Sequence, residues 1–370
     1  VRGLEQTLFV DGRNLLLAAV VKQYTLASDR LRRISKVTKM KTRSILLTAV
    51  LLIAGPSLIF AQGAQGQASQ DEQNLAKAVM TAPDPVVQIK TAADFVKKYP
   101  KSTLRPRLAR ELAQKIDGAT DPAQKVTGAQ AYREIFTEPA EQEMIMPILV
   151  EGLIQSKRTD EAFTAGSEFA TKNPESLEVR IQLVSTGTTE AKNKNLKFVP
   201  QSLQFGTSAI QLIEADKKPA WMDALAWAKY KVDTLPGLYQ SMGLLNLVKG
   251  DRTQARASYV KAAELAPTDP FNFIMLAGIS NEEYQTSAKK YQELPAGPAK
   301  DEELKKAQGL LDAAIDAYAH AVAVSEGNAT LQPVRTQYLQ DLEAYYKYRH
   351  NNSTAGMQEL INKYKVTPKP

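Results

Sequence analysis

From about Asp71 onward, apolar residues recur at i, i+3, i+4 and i+7 between short breaks of Pro, Gly, Asn and Asp, the spacing that puts one apolar face on an α-helix. In residues 220–232 this places Trp221, Ala224, Leu225, Ala228 and Val232 on one side, predicted to face the core. Comparable segments lie at 84–99, 103–117, 122–137, 140–155, 159–172, 175–193, 200–215, 236–249, 252–265, 269–294, 301–324, 330–349 and 354–364. Alternating β-branched runs joined by two-residue Gly turns are absent, so the pattern predicts an all-α chain of roughly fourteen helices with short connections. Pro236 is read as a break between two helices, and YQELPAGPAKDEE, residues 291–303, as a loop.

The helical pattern also repeats. AADFVKKYPKS at 92–102 aligns with GSEFATKNPES at 166–176 through Phe95/Phe169, Lys98/Lys172, Pro100/Pro174 and Ser102/Ser176. Each copy reads as a helix end. Phe packs inward, Lys suits the negative end of the helix dipole, Pro stops the helix, and Ser is placed to cap the next one.

A fuller unit is PGLYQSMGLLNLVKGDRTQARASYVKAAELAPTD, residues 236–269. Tyr239, Met242 and Gly243 supply large, apolar and small positions on a first helix, and Gly250 a turn. Ala255, Tyr259, Ala262 and Pro267 follow on a second. At these offsets the unit resembles the tetratricopeptide repeat, a helix–turn–helix module of 34 residues, with Asn246 standing where that family usually has an aromatic. Small residues are needed where two helices cross closely, and the aromatic fills the gap they leave. Around 145–174 only Leu149, Ala162 and Pro174 keep the register, while Gly166 and Phe169 replace the usual aromatic and Ala; Ala314, Tyr318 and Ala321 restore the second-helix pattern downstream.

The resemblance implies a right-handed superhelical stack of helix–turn–helix repeats. Degenerate units occupy 81–235, the well-matched one 236–269, and an elongated pair with C-terminal helices 270–370. It also implies a concave groove lined by first helices, here Gly237, Gln240, Leu244, Leu247 and Val248. The Lys/Asn pattern with which some members hold a C-terminal carboxylate is absent. These positions therefore serve either a hydrophobic helix-in-groove contact or packing against the neighbouring repeat. Tyr239, Gly243, Ala255, Tyr259, Ala262 and Pro267 are the repeat-packing positions.

Charge changes the picture at the N-terminus. The chain has 47 basic and 40 acidic residues, a formal balance of +7. Its first 61 residues hold ten of the bases and three of the acids, which leaves 37 of each in the rest. A nucleic-acid binder carries its basic footprint on the folded domain, so that class is argued against. Residues 30–43, RLRRISKVTKMKTR, carry seven bases and no acid; SILLTAVLLIAGPSLIFA, 44–61, is uncharged. A positive segment, an apolar core and small residues at its end form the layout of a secretory signal peptide. The expectation is translation from Met40, a signal peptide at 40–61, a polar linker and the start of the first helix at 62–80, and residues 1–39 as a mis-started extension. Gly55 and Pro56 interrupt the apolar run, which favours cleavage over a retained anchor. Membrane contact is thus expected only through this segment, if it stays uncleaved.

Candidate chemistry is sparse. With no cysteine, disulfides, thiol catalysis, thiolate metal sites and a lipoprotein anchor are excluded. His320 and His350 are the only histidines, read respectively as packed beside Ala and Tyr and as standing at a helix end. No phosphate loop, GxSxG or HExxH motif occurs. The carboxylate pairs Glu282-Glu283 and Glu302-Glu303 read as solvated. Tyr345 or Tyr346 reads as packed, rather than as part of a base-stacking patch. Glu175-Ser176 superficially matches the acid of wall-cleaving lytic transglycosylases, but its counterpart in the related junction is Lys101-Ser102. The sequence therefore points to a non-enzymatic, exported scaffold in the periplasm or cell envelope of a bacterium, without cofactor or metal and with a protein or peptide partner. The alternatives are a wall-active enzyme or its accessory subunit, and a signal-anchored assembly factor.

Overall fold

Aspartate, often just ahead of proline, starts many of the helices. Asp121 accepts a hydrogen bond from Ala123 N at 2.9 Å and Asp269 from Phe271 N at 3.1 Å, with Pro122 and Pro270 at the first helical position. There the missing N–H costs nothing and φ is already helical. Asp223 and Asp251 cap through Ala226 N and Gln254 N. The computed structural model describes residues 68–82, 85–219 and 222–365; the leader at 40–61, the extension at 1–39 and Trp221 lie outside them.

The helices are α1 Gln70–Thr81, α2 Pro85–Lys98, α3 Arg105–Asp117, α4 Pro122–Ile135, α5 Pro139–Gln155, α6 Thr159–Lys172 and α7 Glu178–Lys192. They continue as α8 Val199–Glu214, α9 Ala224–Lys249, α10 Arg252–Leu265, α11 Pro270–Glu293, α12 Pro298–Val324, α13 Gln332–Arg349 and α14 Met357–Lys363. No strand occurs among the described residues, so the fold is all-α, a stack of antiparallel helices on short turns. None of these helices is long and apolar enough to cross a membrane. α1 begins with a capping box in which Ser69 and Glu72 exchange hydrogen bonds.

The chain divides into two units, one carrying α1–α8 and the other α9–α14, with residues 191–199 grouped with the second. In the first, Phe95, Leu112, Tyr132, Phe136, Ile145 and Phe163 are fully enclosed. Close crossings fall at glycines: a Cβ on Gly166 would meet Leu183 Cδ1 at 2.7 Å, and one on Gly187 would overlap the Ser202 hydroxyl. Arg180 on α7 reaches back to the carbonyls of Ala170, Asn173 and Ser176, and its Nε donates to Ser208 Oγ on α8. Three helices are tied by that one guanidinium. Arg105 pairs with Glu141 through two bonds of 2.7 and 2.8 Å and donates to Pro100 O.

The repeated helix ends are where the sequence puts them. Phe95 and Phe169 are buried, and α2 and α6 stop at Lys98 and Lys172. The serines differ from expectation. Ser102 accepts from Leu104 N in a turn ahead of α3, and Ser176 is buried beside the Glu143 carboxyl, so neither caps the first turn of a helix.

Three other expectations are corrected. Residues 220–232 and 236–249 are not two helices; α9 runs through Pro236. Proline removes one N–H from the ladder and frees the carbonyl four residues back, which belongs to Val232 on an exposed stretch. The predicted core face of that segment is solvent-facing, with Leu225 83% and Val232 71% exposed, while Met222 and Trp227 are buried instead. The 291–303 loop shrinks to 294–297, because α11 runs to Glu293 and Pro298 opens α12.

Two hydrophobic cores lie among the described residues of the second unit. Leu244, Ala255, Tyr259, Phe271, Met275 and Ile279 join α9, α10 and α11. Phe273, Leu311, Ile315, Tyr318, Val322, Tyr338, Leu342, Tyr346 and Ile361 join α11 through α14.

Candidate functional site

The α9–α10 hairpin is tetratricopeptide-like in its packing as well as its sequence. Gly243 stands directly on the Tyr259 ring: a Cβ there would lie 2.6 to 2.9 Å from Cε2, Cζ and Cδ2. Ala255, Tyr259 and Ala262 are fully enclosed, and Tyr259 meets Phe271 edge-on at 6.1 Å. Tyr239 is half-buried, and Pro267 is exposed beyond the end of α10. Gly250 turns the hairpin at φ 89°, with Asp251 N donating to Asn246 O and Gly250 N to Leu247 O. These two bonds satisfy carbonyls that the end of α9 would otherwise leave free, and a positive φ suits glycine.

The groove positions read from sequence point mainly at the next helix of their own unit. Gln240 is buried, and its Nε2 donates to Asn272 Oδ1 at 2.8 Å and to Asp269 Oδ2 at 3.1 Å. Leu244 belongs to the core shared with α11, while Leu247 and Val248 are partly buried against it. Gly237 is buried as well. Here the neighbouring helix supplies the contact surface. A ligand at Gln240 or Leu244 would have to displace α11.

An open cleft of about 730 Å³ lies at the turn end of this hairpin. One wall is the α9–α10 turn with Lys249, Asp251, Arg252 and Thr253; the floor is α11 with Glu283, Thr286, Ser287 and Lys290; the far wall is α12 with Glu303, Lys306 and Leu310. Glu303 organises it. Its side chain is only 6% exposed, Lys290 Nζ lies 2.6 Å from Oε2, Lys306 Nζ lies 3.8 Å from Oε1, and Ser287 Oγ donates to Oε1. The bond from Lys290, then that from Ser287, holds the Glu303 carboxyl below the usual carboxylate range. The expectation of a solvated Glu303 is thus corrected. Sequence could not show it, because its two close partners, Ser287 and Lys290, come from another helix. The paired glutamates before it are also engaged: Glu282 with Arg252 at 2.9 Å and Glu283 with Arg256 at 2.6 Å. Lys249, Arg252, Ser287, Lys290 and Lys306 are site residues that periodicity alone did not single out.

Other candidates stand elsewhere. Glu175 is exposed and pairs with Lys217 at 3.2 Å in the inter-helix junction. His320 is sandwiched between the Phe273 ring at 3.6 Å and the Tyr364 ring at 4.2 Å. Burial holds it below the ordinary imidazole value, with Asp316 opposing and Lys363 adding to that shift. His350 stacks on Tyr346 at the end of α13. Tyr346 is buried, Tyr345 stacks on Tyr318, and Lys347 and Arg349 pair with Glu343 and Asp312. Among the described residues no group of three or more His, Asp or Glu side chains is placed to hold a metal ion.

No family profile matches the sequence, and no curated protein matches it. Among solved structures the chain is similar to a tetratricopeptide repeat protein from Parabacteroides merdae ATCC 43184. The identity is 13% over 73% of this chain and 100% of that one, with a TM-score of 0.34. A likeness that distant carries no weight here, and the tetratricopeptide-like character rests on the Gly243–Tyr259 hairpin itself.

Proposed function

We propose that the chain is a non-catalytic helical-repeat scaffold that binds a protein or peptide partner and works outside the cytoplasm, in the cell envelope. The observation that carries the binding reading is the open cleft set against the packed α9–α10 hairpin. A rigid pair of helices presents charged and hydroxyl side chains to solvent, and the first-helix positions beside it are filled by the chain itself. Such a surface recognises by shape and discrete polar contacts. Export is supported by the basic run at 30–43 followed by the uncharged stretch at 44–61.

The decisive experiment is affinity capture from envelope extracts with residues 62–370 as bait, alongside an assay of the same protein on purified wall material. Reproducible capture of defined partners with no wall hydrolysis is expected. Hydrolysis without capture would overturn the scaffold reading in favour of a wall-active enzyme. Fractionation of the full chain tests the location: release with the soluble envelope fraction is expected, and salt-resistant recovery in membranes alone would mean a retained anchor.

A further inference from the structure

We propose that the cleft between the α9–α10 turn and helices α11 and α12 receives an acidic peptide segment, whose carboxylates meet Lys249 on one wall and Lys306 on the other. This rests on the reading of the chain as a binder of protein partners and names the chemistry of the partner at that cleft.

The charges around the cleft are unequally committed. Each of its carboxylates has a task within the fold: Asp251 caps α10 through Gln254 N, Glu283 pairs with Arg256, and Glu303 holds Ser287 and Lys290. Of the cations, Arg252 is paired with Glu282 and Lys290 with Glu303. Lys306 stands 3.8 Å from a carboxylate oxygen already engaged by Ser287, and Lys249 at the end of α9 has no ion-pair partner among the described residues. The charge least committed within the fold is therefore positive, at Lys249 and at Lys306, whose pair with Glu303 is long.

The geometry also selects the kind of anion. A phosphate-rich strand would bring continuous negative charge past Asp251, Glu283 and Glu303 and be repelled by them. A peptide brings carboxylates at intervals, and between them backbone N–H groups that carboxylates and the Thr253 and Thr286 hydroxyls can accept. Glu303 fixes the device in place. Buried and bonded from two sides, it is not free to swing out and neutralise Lys249, and it holds the ammonium of the exposed Lys290. A cleft of about 730 Å³ suits a few residues of extended chain rather than a whole helix.

The test is fluorescence anisotropy of residues 62–370 with a labelled peptide of alternating Glu and Thr, against its Gln and Thr counterpart, at low salt. The acidic peptide is expected to bind at least about tenfold more tightly, and to weaken as salt is raised. The double variant Lys249→Glu, Lys306→Gln should lose about tenfold, some 1.4 kcal/mol, with an unchanged far-UV spectrum and melting curve. Lys261→Gln, on an exposed pair with Glu264 away from the cleft, should bind as the parent does. Equal binding of the Gln peptide, or no loss in the double variant, would sink the proposal. Displacement of the peptide by inorganic phosphate at equal concentration would instead make this a small-anion site and sink it too. If residues 62–370 capture envelope partners while the acidic peptide fails to bind the same unaltered protein, this cleft proposal fails and the scaffold reading stands. If the acidic peptide binds and nothing is captured, the scaffold reading alone fails.

Discussion

At Gly243 an added methyl group would stand within 2.9 Å of three atoms of the Tyr259 ring, which is itself fully enclosed and braced by Phe271. The ring has nowhere to retreat, so Gly243→Ala is expected to destabilise the second unit by about 1–3 kcal/mol, read as a fall in melting temperature. Gly309 in α12 is the matched control, with nothing within 4 Å of a built Cβ; Gly309→Ala should stabilise by about 0.5–1 kcal/mol, the helix-propensity gain alone. The two results together separate crossing from propensity. A different residue-scale interaction governs the first unit. The side chains of Arg105 and Glu141 are 11% and 6% exposed and share two short hydrogen bonds. Glu141→Ala would strand a buried guanidinium and should cost about 3–5 kcal/mol in urea unfolding, whereas Arg105→Met with Glu141→Leu should cost far less. Equal losses in both would show that the pair contributes more than mutual compensation.

Along α9, two stripes compete at helical spacing: the apolar Leu225, Ala228 and Val232 on one, and Trp227 and Leu238 with the polar Thr234 between them on the other. The second wins, with Trp227 stacked on Tyr230, and periodicity has no means of choosing between them. Leu225→Gln and Val232→Thr are therefore expected to change stability by less than about 0.5 kcal/mol, while Trp227→Ala should cost about 3–5 kcal/mol; parallel urea melts decide. Most of the helices were legible because their apolar stripes are bounded by Asp, Pro and Gly chemistry that works locally. What escaped were the continuity through Pro236 and the 294–297 turn. There the outcome depends on whether a freed carbonyl meets water and how far two long helices pack, which neighbours in sequence do not reveal. At the C-terminal end, α14 is held by Ile361 in the core, by Tyr364 on His320, and by the Tyr364 hydroxyl, which donates to Asp316 at 2.5 Å. His320 is neutral in this sandwich and faces Asp316 from its own helix and Lys363 from α14. With its folded pKa below the unfolded value, the unfolded chain binds more protons. Stability is full above the ordinary imidazole range and declines as pH falls from about 6.5 toward the lowered value, then levels. His320→Phe should flatten that decline in melting temperature against pH, and a wild-type curve without it would refute the neutral stacked imidazole.

Across the whole molecule the charges are sorted by position. Ten bases and three acids lie in the first 61 residues, and the remainder holds 37 of each. In the second unit many of these are paired across helices, as in Arg252–Glu282, Arg256–Glu283 and Arg349–Asp312. The hairpin was legible because Gly243, Ala255, Tyr259 and Ala262 act within one 34-residue stretch. The cleft was not, since it assembles Lys249, Ser287, Glu303 and Lys306 from three helices across more than fifty residues. Its local positive excess sits in a balanced surface, and at physiological ionic strength such a field reaches only about 8 Å. Attraction to polyanions in general should therefore be absent even if acidic peptides bind. Residues 62–370 are expected to leave a phosphocellulose column at or below about 0.15 M salt near neutral pH, while the full chain, carrying the basic run at 30–43, should be held to higher salt, because each neutralised phosphate adds to the salt slope. Strong retention of residues 62–370 would reveal a basic face on the folded body and would reopen the nucleic-acid class that the charge balance argues against.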